Sequence, residues 1–538
     1  MDRLSELLGS YVQFQYTALD RIVLNGYIER LQRPEGLVYF LHDVAGVPCI
    51  EPSVLTRRTD EYRAWVRRFA QERQVPLLAA VKGERKEDVV QPHYRRLKGE
   101  EGVACVLTNM EQGRTFVSYT PKEAKGDPNY RYISTARKRF MHYYFYIWDP
   151  VMGPMSLRVA TYLPFNLTFY LNGHSFLGQE LGRLGIANRK EDNAFLAVAD
   201  VSALQAAAVR LTPELLQARC DYWAGQLAPS FSEQESLAFA PSYRYSISQI
   251  ELATDVVFRR SAPLRAWFER AAELGLLLGG ADRATYLFGR RITRRFNGRL
   301  QTVLEARNQG HPVLRSYYRS SFVRQYEKAD RLLRTETCIN DTYHLGIGRR
   351  LENLPTLLER MTQTNQRYLD LQSELLDSTV DQGQLAELAR PTLVGHRRIP
   401  GIKLHDDRVL RLMEALLHPG SFLADWTTRE TYARLIARHR LSESDYRLTQ
   451  MRYDLLKLRA KGLVERIGNS RRYKLTPLGI KLGTLLTKLR TRLLGPILSL
   501  KAHQTPRTSN NPSKIESALR DVQSAFDRLY QTLGLKAA

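Results

Sequence analysis

One stretch constrains the fold more than any other: RLTQMRYDLLKLRAKGLVERIGNSRRYKLTPLGIKLG, residues 447–483. Leu448, Met451, Leu455 and Leu458 recur at three- and four-residue spacing, the apolar stripe of a helix. Ser444 or Asp445 can cap that helix, which runs to Lys461, and Gly462 ends it. LVERI (463–467) and RRYKL (471–475) then read as two strands joined by the turn Gly468-Asn469-Ser470. Thr476-Pro477 starts the next helix. A helix, a tight hairpin and a second helix must therefore pack together within one short segment.

The segment resembles the winged helix-turn-helix family, in which a pattern of the form LRxKGLxxRxxxxRRYxLTPxG recurs; the likeness spans about 35 contiguous residues. Nine Lys/Arg against four acids lie in 441–480, a balance that suits DNA. The resemblance makes the helix a recognition helix. Thr449, Gln450, Arg452 and Tyr453 lie in its N-terminal half, where side chains reach base edges in the major groove. Arg471 and Arg472 on the wing are placed to touch phosphates or the minor groove.

The whole chain has the same electrostatic bias. Its 538 residues carry 80 Lys/Arg against 56 acids, a formal net charge of +24. Such a surplus points to a polyanionic partner, nucleic acid before an anionic membrane. No run approaches 18 apolar residues, so no transmembrane helix and no membrane partner are expected. The N-terminus MDRLSELLGSYVQFQ has acids where a signal peptide has an apolar stretch. The four cysteines are far apart, which argues against a zinc ribbon and suits a reducing cytoplasm. The eleven histidines form no His-x-His pair, and no nucleotide-binding loop is present.

The pattern predicts an α+β multidomain chain. Residues 1–128 read as an α/β domain, with an amphipathic helix at 53–74 and short strands at 37–41, 75–81, 102–107 and 115–119. Residues 129–235 read as strands (142–148, 156–163, 166–171), a turn at Asn172-Gly173, then helices from DNAFLAV onward. Arg137, Lys138 and Arg139 precede the aromatic strand HYYFYIW, which is either buried on both faces or a platform for unpaired bases. His174 is a turn-flanking polar residue, with a ligand or base as the alternative. Residues 236–387 read as a central antiparallel sheet with packed helices, and 404–500 as the winged helix. The tail, 501–538, is a flexible linker with a terminal helix. No internal repeat of fixed period is visible.

The central region carries charge inside its strands. SFVRQYEKADRLLRTETCIN (321–340) reads as a hairpin turning at Lys328-Ala329-Asp330, with Arg334 and Glu336 on one face. Upstream, the strand at 244–260 places Glu251 and Asp255 on one face. Glu251, Asp255 and Glu336 can converge on a hard divalent ion, Mg²⁺ or Mn²⁺, or they can pair with Arg324, Lys328 and Arg334. Between these strands, ADRATYLFGRRITRRFNGR (281–299) has six arginines and one acid; Arg290, Arg291, Arg294 and Arg295 suit phosphate contact.

Three motifs recur here in an order similar to that of rolling-circle replication initiators of plasmids and filamentous phages. Ile250-Glu251-Leu252-Ala253-Thr254-Asp255 resembles their R-I-D-x-A-x-D strand, with Glu251 in place of Asp and Gln249 in place of Arg. Arg324-Gln325-Tyr326-Glu327-Lys328 resembles R-x-Y-[DE]-K, and Leu333-Arg334-Thr335-Glu336 resembles L-R-x-E. Tyr286-Leu287-Phe288-Gly289-Arg290-Arg291 is similar to the Y-x-G-S/R element between them. The likeness covers about 100 residues. It implies a metal-dependent DNA-nicking centre in which a tyrosine becomes linked to the 5′ phosphate, with Tyr326 and Glu336 as catalytic candidates and Tyr286, Tyr317 and Tyr318 as other nucleophile candidates. The expectation is thus a DNA-binding protein of a mobile element or plasmid with a nicking centre. The alternatives are a non-catalytic DNA-binding regulator and an RNA-binding protein.

Overall fold

The computed structural model describes residues 8–120 apart from 82 and 85, 131–269, 301–306, 312–376, 387–418 apart from 404 and 405, 426–488 apart from 440, and 517, 521, 524 and 525. It is a mixed α/β chain of two compact units, residues 1–376 with 418–426 and residues 377–417 with 427–538.

The first unit is built on one eleven-stranded sheet. Its strands are β1 (Val12–Ile28), β2 (Leu77–Ala79), β3 (Gly102–Tyr119), β4 (Tyr132–Asp149), β5 (Gly153–Ala160), β6 (Leu167–Asn172), β9 (Tyr243–Phe258), β10 (Gln301–Ala306), β11 (Pro312–Tyr318), β12 (Ser321–Lys328) and β13 (Leu332–Ile339). β7 (Asn188–Glu191) and β8 (Ala194–Val198) form a separate hairpin. The sheet order is β10-β11-β12-β13-β9-β1-β6-β5-β4-β3-β2.

One arrangement occurs twice in this order. β1 is followed by the antiparallel meander β3–β6, whose last strand returns to pair with β1. β9 is followed by the meander β10–β13, whose last strand returns to pair with β9. β1 and β9 then pair antiparallel from Val12↔Phe258 to Ile28↔Tyr243, joining the halves. This long-range pairing places the expected boundaries at 128 and 235 inside a single unit. It also repeats a topology where the sequence shows no fixed period.

Helices cover the sheet. α1 (Pro52–Glu72) packs Tyr62 and Val66 into a core shared with Tyr143, Phe145 and Ile147 of β4. α2 (Lys86–Arg96) packs Val90 against Cys105 and Leu107. α3 (Gly173–Arg183), α4 (Val201–Val209) and α5 (Pro213–Leu227) add Phe176, Leu204 and Trp223 to the main core. α6 (Leu354–Leu376) lies on β9 and β13, with Leu354, Leu357 and Met361 fully buried.

Several local expectations change. The apolar run 37–41 is helical, because Pro34 starts a turn and Leu37, Phe40 and Leu41 are buried at helical spacing. The runs at 102–107 and 115–119 belong to one strand. Asn172-Gly173 is not a hairpin turn. Asn172 Oδ1 accepts the Ser175 N–H at 2.8 Å and caps α3. A Cβ on Gly173 would stand 2.1 Å from the Leu19 carbonyl oxygen, so this close approach requires glycine. Ala194–Val198 is a strand preceding the expected helix.

The second unit contains α7 (Asp407–Leu416), α8 (Thr428–His439), α9 (Leu448–Ala460) and α10 (Pro477–Lys488). β14 (Thr392–Val394) pairs with β15 (Arg397–Ile399). β16 (Trp426–Thr427), which belongs to this unit from Thr427, forms a sheet with β17 (Val464–Arg466) and β18 (Arg472–Leu475) in the order β16-β18-β17. Val409, Leu412, Leu435, Met451, Leu455, Leu458, Leu463 and Ile480 are among its buried apolar residues. Neither Ser444 nor Asp445 caps α9, which starts later. Asp445 instead closes its own turn, accepting the Ser442 N–H at 2.8 Å.

Among the described residues no helix is long and apolar enough to cross a membrane.

Candidate functional site

The site lies where β9, β13 and β12 run side by side. In β9·β13, Arg334 stands opposite Asp255, Glu336 opposite Ala253 and Cys338 opposite Glu251. In β12·β13, Arg324 stands opposite Glu336 and Tyr326 opposite Arg334. The two-residue period of a strand puts all these side chains on one face. The other face is polar too and is held by α6. Asn365 Nδ2 donates to the Leu252 carbonyl and Thr254 Oγ1, Thr337 donates to Asn365 Oδ1, and Gln325 and Gln372 exchange amide hydrogen bonds at 2.8 and 2.6 Å.

The charged face divides into two clusters. In the first, Arg334 grips Asp255 through Nε–Oδ1 at 2.8 Å and Nη2–Oδ2 at 2.7 Å. Its Nη1 lies 3.3 Å from Asp20 Oδ1, and its Nη2 donates to the Asn193 carbonyl. His174 Nδ1 stands 3.0 Å from Asp20 Oδ1 without hydrogen-bond alignment, and its Nε2 is 3.6 Å from Asp255 Oδ2. Burial pushes the Asp255 carboxyl up, but the Arg334 guanidinium outweighs it and holds the acid well below the ordinary range. Burial also opposes ionisation of Asp20, whose pKa is nevertheless lowered to about 2 by His174 and Arg334.

The second cluster surrounds Glu336. Its Oε2 accepts from Arg324 Nε at 2.8 Å and from the Tyr326 hydroxyl at 3.2 Å, while Oε1 accepts from Arg324 Nη2 at 2.7 Å. Glu251 Oε1 accepts from Arg21 Nη2 at 2.6 Å and Gln249 Nε2 at 2.8 Å. One carboxylate oxygen from each glutamate and Cys338 Sγ all lie within 4.8 Å of one another. Burial and then repulsion from Glu336 push Glu251 up to about 7. Burial also disfavours the Glu336 charge, but Arg324 prevails and keeps the group below the ordinary range. Burial first, and the Glu336 charge second, push the Tyr326 phenol up. Burial likewise raises the Cys338 thiol. The cluster opens to solvent on the side of Arg21, whose side chain is 45% exposed.

The expected trio of carboxylates is therefore divided. Glu251 and Glu336 converge, but Asp255 is committed to Arg334 and is not part of the candidate metal group. The register is the reason: Asp255 sits beside a guanidinium, whereas Glu336 sits two residues further along, beside Glu251's partner Cys338. Lys328, a proposed partner of the acids, instead binds Asp192 at 2.7 Å. The two glutamates and Cys338 have the spacing for a cation, with the carboxylates suited to Mg²⁺ or Mn²⁺. Arg21 and Arg324 already neutralise both carboxylates, so an ion there must displace one; Arg21 is the more exposed.

Of the tyrosine candidates, Tyr326 is half-buried and beside the carboxylates, and Tyr317 is buried with its hydroxyl accepting from Arg315 Nη1 at 3.0 Å. Tyr318 packs edge-on to His344. Tyr286 and the arginines Arg290, Arg291, Arg294 and Arg295 lie outside the described residues. His174 is no turn residue but a fully buried member of the ionic cluster. Asp20, Arg21 and Cys338 escape a sequence reading. One signal was available for Asp20: Ala18-Leu19-Asp20 and Ala253-Thr254-Asp255 share an Ala-x-Asp pattern on the two strands that join the halves.

In the second unit, Thr449, Arg452 and Tyr453 are exposed on α9, while Met451, Leu455 and Leu458 are buried. Gln450 Oε1 accepts the Arg447 N–H at 2.8 Å and so serves the start of the helix. Arg471 is exposed and Arg472 half-buried at the β17–β18 hairpin, whose turn is held by Arg466 on the Asn469 and Ser470 carbonyls. His142, Tyr143, Tyr144 and Phe145 are buried, so this part of the aromatic strand offers no open faces for stacking bases.

No protein-family model, no curated protein and no solved structure matches this chain.

Proposed function

We propose that the chain is a site-selective DNA-binding protein whose second unit acts as a winged helix. The observation that carries the reading is the division of α9: Met451, Leu455 and Leu458 face inward, while Thr449, Arg452 and Tyr453 stand outward in its N-terminal half. The order helix, strand, helix, helix, hairpin, helix and the sheet order β16-β18-β17 support this reading. Arg471 and Arg472 then serve the wing, reaching phosphate while α9 reads base edges. The test is selection of duplexes from a random library by the full-length protein. Enrichment of a common sequence, lost in Arg452→Ala, supports the reading; binding with no sequence preference and no salt dependence sinks it.

A specific contact favours a second, catalytic activity of the first unit. Tyr326, Glu336 and Arg324 have the spacing of a nucleophile, a base and the group that orients the base. Tyr326 attacks a DNA phosphorus while Glu336 takes the phenolic proton, the P–O3′ bond breaks and the 3′ oxygen takes a proton from water to leave as a hydroxyl, and a phosphotyrosyl bond to the 5′ side forms. Glu251 and Glu336 would hold a divalent ion, which would supply charge stabilisation to such a reaction. Incubating the protein with Mg²⁺ or Mn²⁺ and supercoiled plasmid carrying its own flanking DNA tests this. A nicked, protein-linked product is expected. Its absence with wild type, or its persistence in Glu336→Ala, excludes the centre.

A further inference from the structure

We infer that the outer part of the β3–β4 pair is a second DNA contact, a two-stranded arm that lies along the phosphates of a duplex. The inference rests on the DNA-binding reading above and names a further surface that serves it.

Three observations converge on this arm. The first is its reach past the neighbouring strands. β3 and β4 stay in register out to Tyr119↔Tyr132, but β4 pairs with β5 only as far as His142↔Ala160, and β2 meets β3 only at Val106–Thr108. Residues 109–119 and 132–141 therefore run beyond the neighbouring strands as a ribbon. A two-stranded ribbon has the dimensions that the major groove admits.

The second is its charge. Arg114, Arg137, Lys138 and Arg139 are all exposed. Arg114 stands directly opposite Arg137, with Arg139 one step along on the same face and Lys138 on the other. Like charges placed opposite one another weaken a strand pair. The paired stretch has a single acid, Glu111, and it is committed to Tyr144, Asn109 and Arg158. A polyanion lying along the exposed cations restores the missing balance.

The third is rigidity. Phe140 stacks on His142 with ring centroids 4.6 Å apart and lies against Tyr162 at 4.8 Å. Gly113 accommodates this stack, since a Cβ there would meet Phe140 at 2.5 Å. Phe116 is buried in a local core, and Arg114 Nη2 donates to the Gln32 carbonyl at 2.6 Å. The backbone that carries these cations therefore needs little ordering on binding.

The experiment is the salt dependence of duplex binding by the full chain. We compare wild type with the triple variant Arg137→Ala/Lys138→Ala/Arg139→Ala, with Arg137→Lys/Arg139→Lys, and with Arg471→Ala/Arg472→Ala. The three side chains are exposed, and circular dichroism with thermal melting confirms that each variant is folded. In the triple variant the slope of log affinity against log salt becomes shallower by about 3, and affinity falls alike for selected and random duplexes. The lysine variant keeps the wild-type slope. An unchanged slope in the triple variant, with the Arg471/Arg472 variant still weakened, overturns the arm and leaves the winged-helix reading standing. Loss of binding to single strands only, with duplex binding intact, also overturns it. No duplex binding by wild type overturns both.

Discussion

Arg324 holds Glu336 by two parallel hydrogen bonds, Nε to Oε2 at 2.8 Å and Nη2 to Oε1 at 2.7 Å. Glu336 is fully buried, so removing its partner leaves an uncompensated charge. Arg324→Leu should lower unfolding free energy by about 3–5 kcal/mol, measured by urea denaturation. Arg324→Lys, which keeps the charge but not the fork, should fall between the two. A loss below about 1 kcal/mol in Arg324→Leu would mean that the pair behaves as a surface ion pair.

Glu251 gives the first unit an unusual pH dependence. Its folded pKa is raised to about 7, so the folded state holds its proton more tightly than the unfolded chain does. That contribution is complete below the ordinary carboxylate pKa and is lost as pH rises through 7. Glu336 and Asp255 act oppositely, because their folded pKa values are depressed; their contributions are lost as acid protonates them. Between pH 5 and 8 the urea midpoint of wild type should therefore fall more steeply than that of Glu251→Gln. Parallel curves would refute the assignment.

Tyr326→Phe separates chemistry from structure. The substitution removes one hydrogen bond to Glu336, at a cost of about 1 kcal/mol in stability. Protein-linked DNA should disappear completely while affinity for the duplex stays within about twofold of wild type, since the change removes no phosphate-binding cation. Adduct formation by Tyr326→Phe would move the nucleophile to another tyrosine.

A divalent ion should raise the melting temperature of wild type in proportion to its occupancy. Glu251→Gln and Glu336→Gln should each abolish the rise with Mn²⁺. Arg21→Ala should strengthen it, because the ion then need not displace that guanidinium from Glu251. A Mn²⁺ effect of equal size in all four proteins would place the ion elsewhere.

Arg452 and the hairpin arginines should differ in kind. Arg452→Ala should cost about 1–3 kcal/mol on the selected duplex and much less on random DNA. Arg471→Ala and Arg472→Ala should weaken both duplexes alike, each with a slope shallower by about 1. Competition binding at two salt concentrations distinguishes these patterns.

Much of this is legible in the sequence, for identifiable reasons. The 321–340 hairpin is readable because two runs rich in β-formers flank Lys328-Ala329-Asp330; the positive φ of the turn, +51° at Ala329 and +55° at Asp330, is not, since alanine disfavours it. Alternation alone puts Arg334 and Glu336 on one face. The helix–hairpin–helix of 447–483 is readable because all its signals are local. Partners set by register are not. Asp255 and Glu251 have the same chemistry and lie on the same face; only the pairing with β13 decides that one meets Arg334 and the other Cys338. Asp20 is harder still, since it reaches the cluster from β1 at an irregularity between Leu19 and Arg21. The LVYFL run has β-forming composition, and a proline three residues before it decides for helix.

The repeated half-sheet sets a timetable for synthesis. The first half is complete when β6 leaves the ribosome and closes on one side of β1. The opposite side of that seventeen-residue strand waits for β9, which emerges about 70 residues later, several seconds at ordinary elongation rates. During that interval the nascent chain carries a long open edge, the kind of surface on which strands of other chains add. Expression yield should therefore depend on how quickly residues 173–258 follow, and a truncated chain ending before β9 should be captured by chaperones or aggregate.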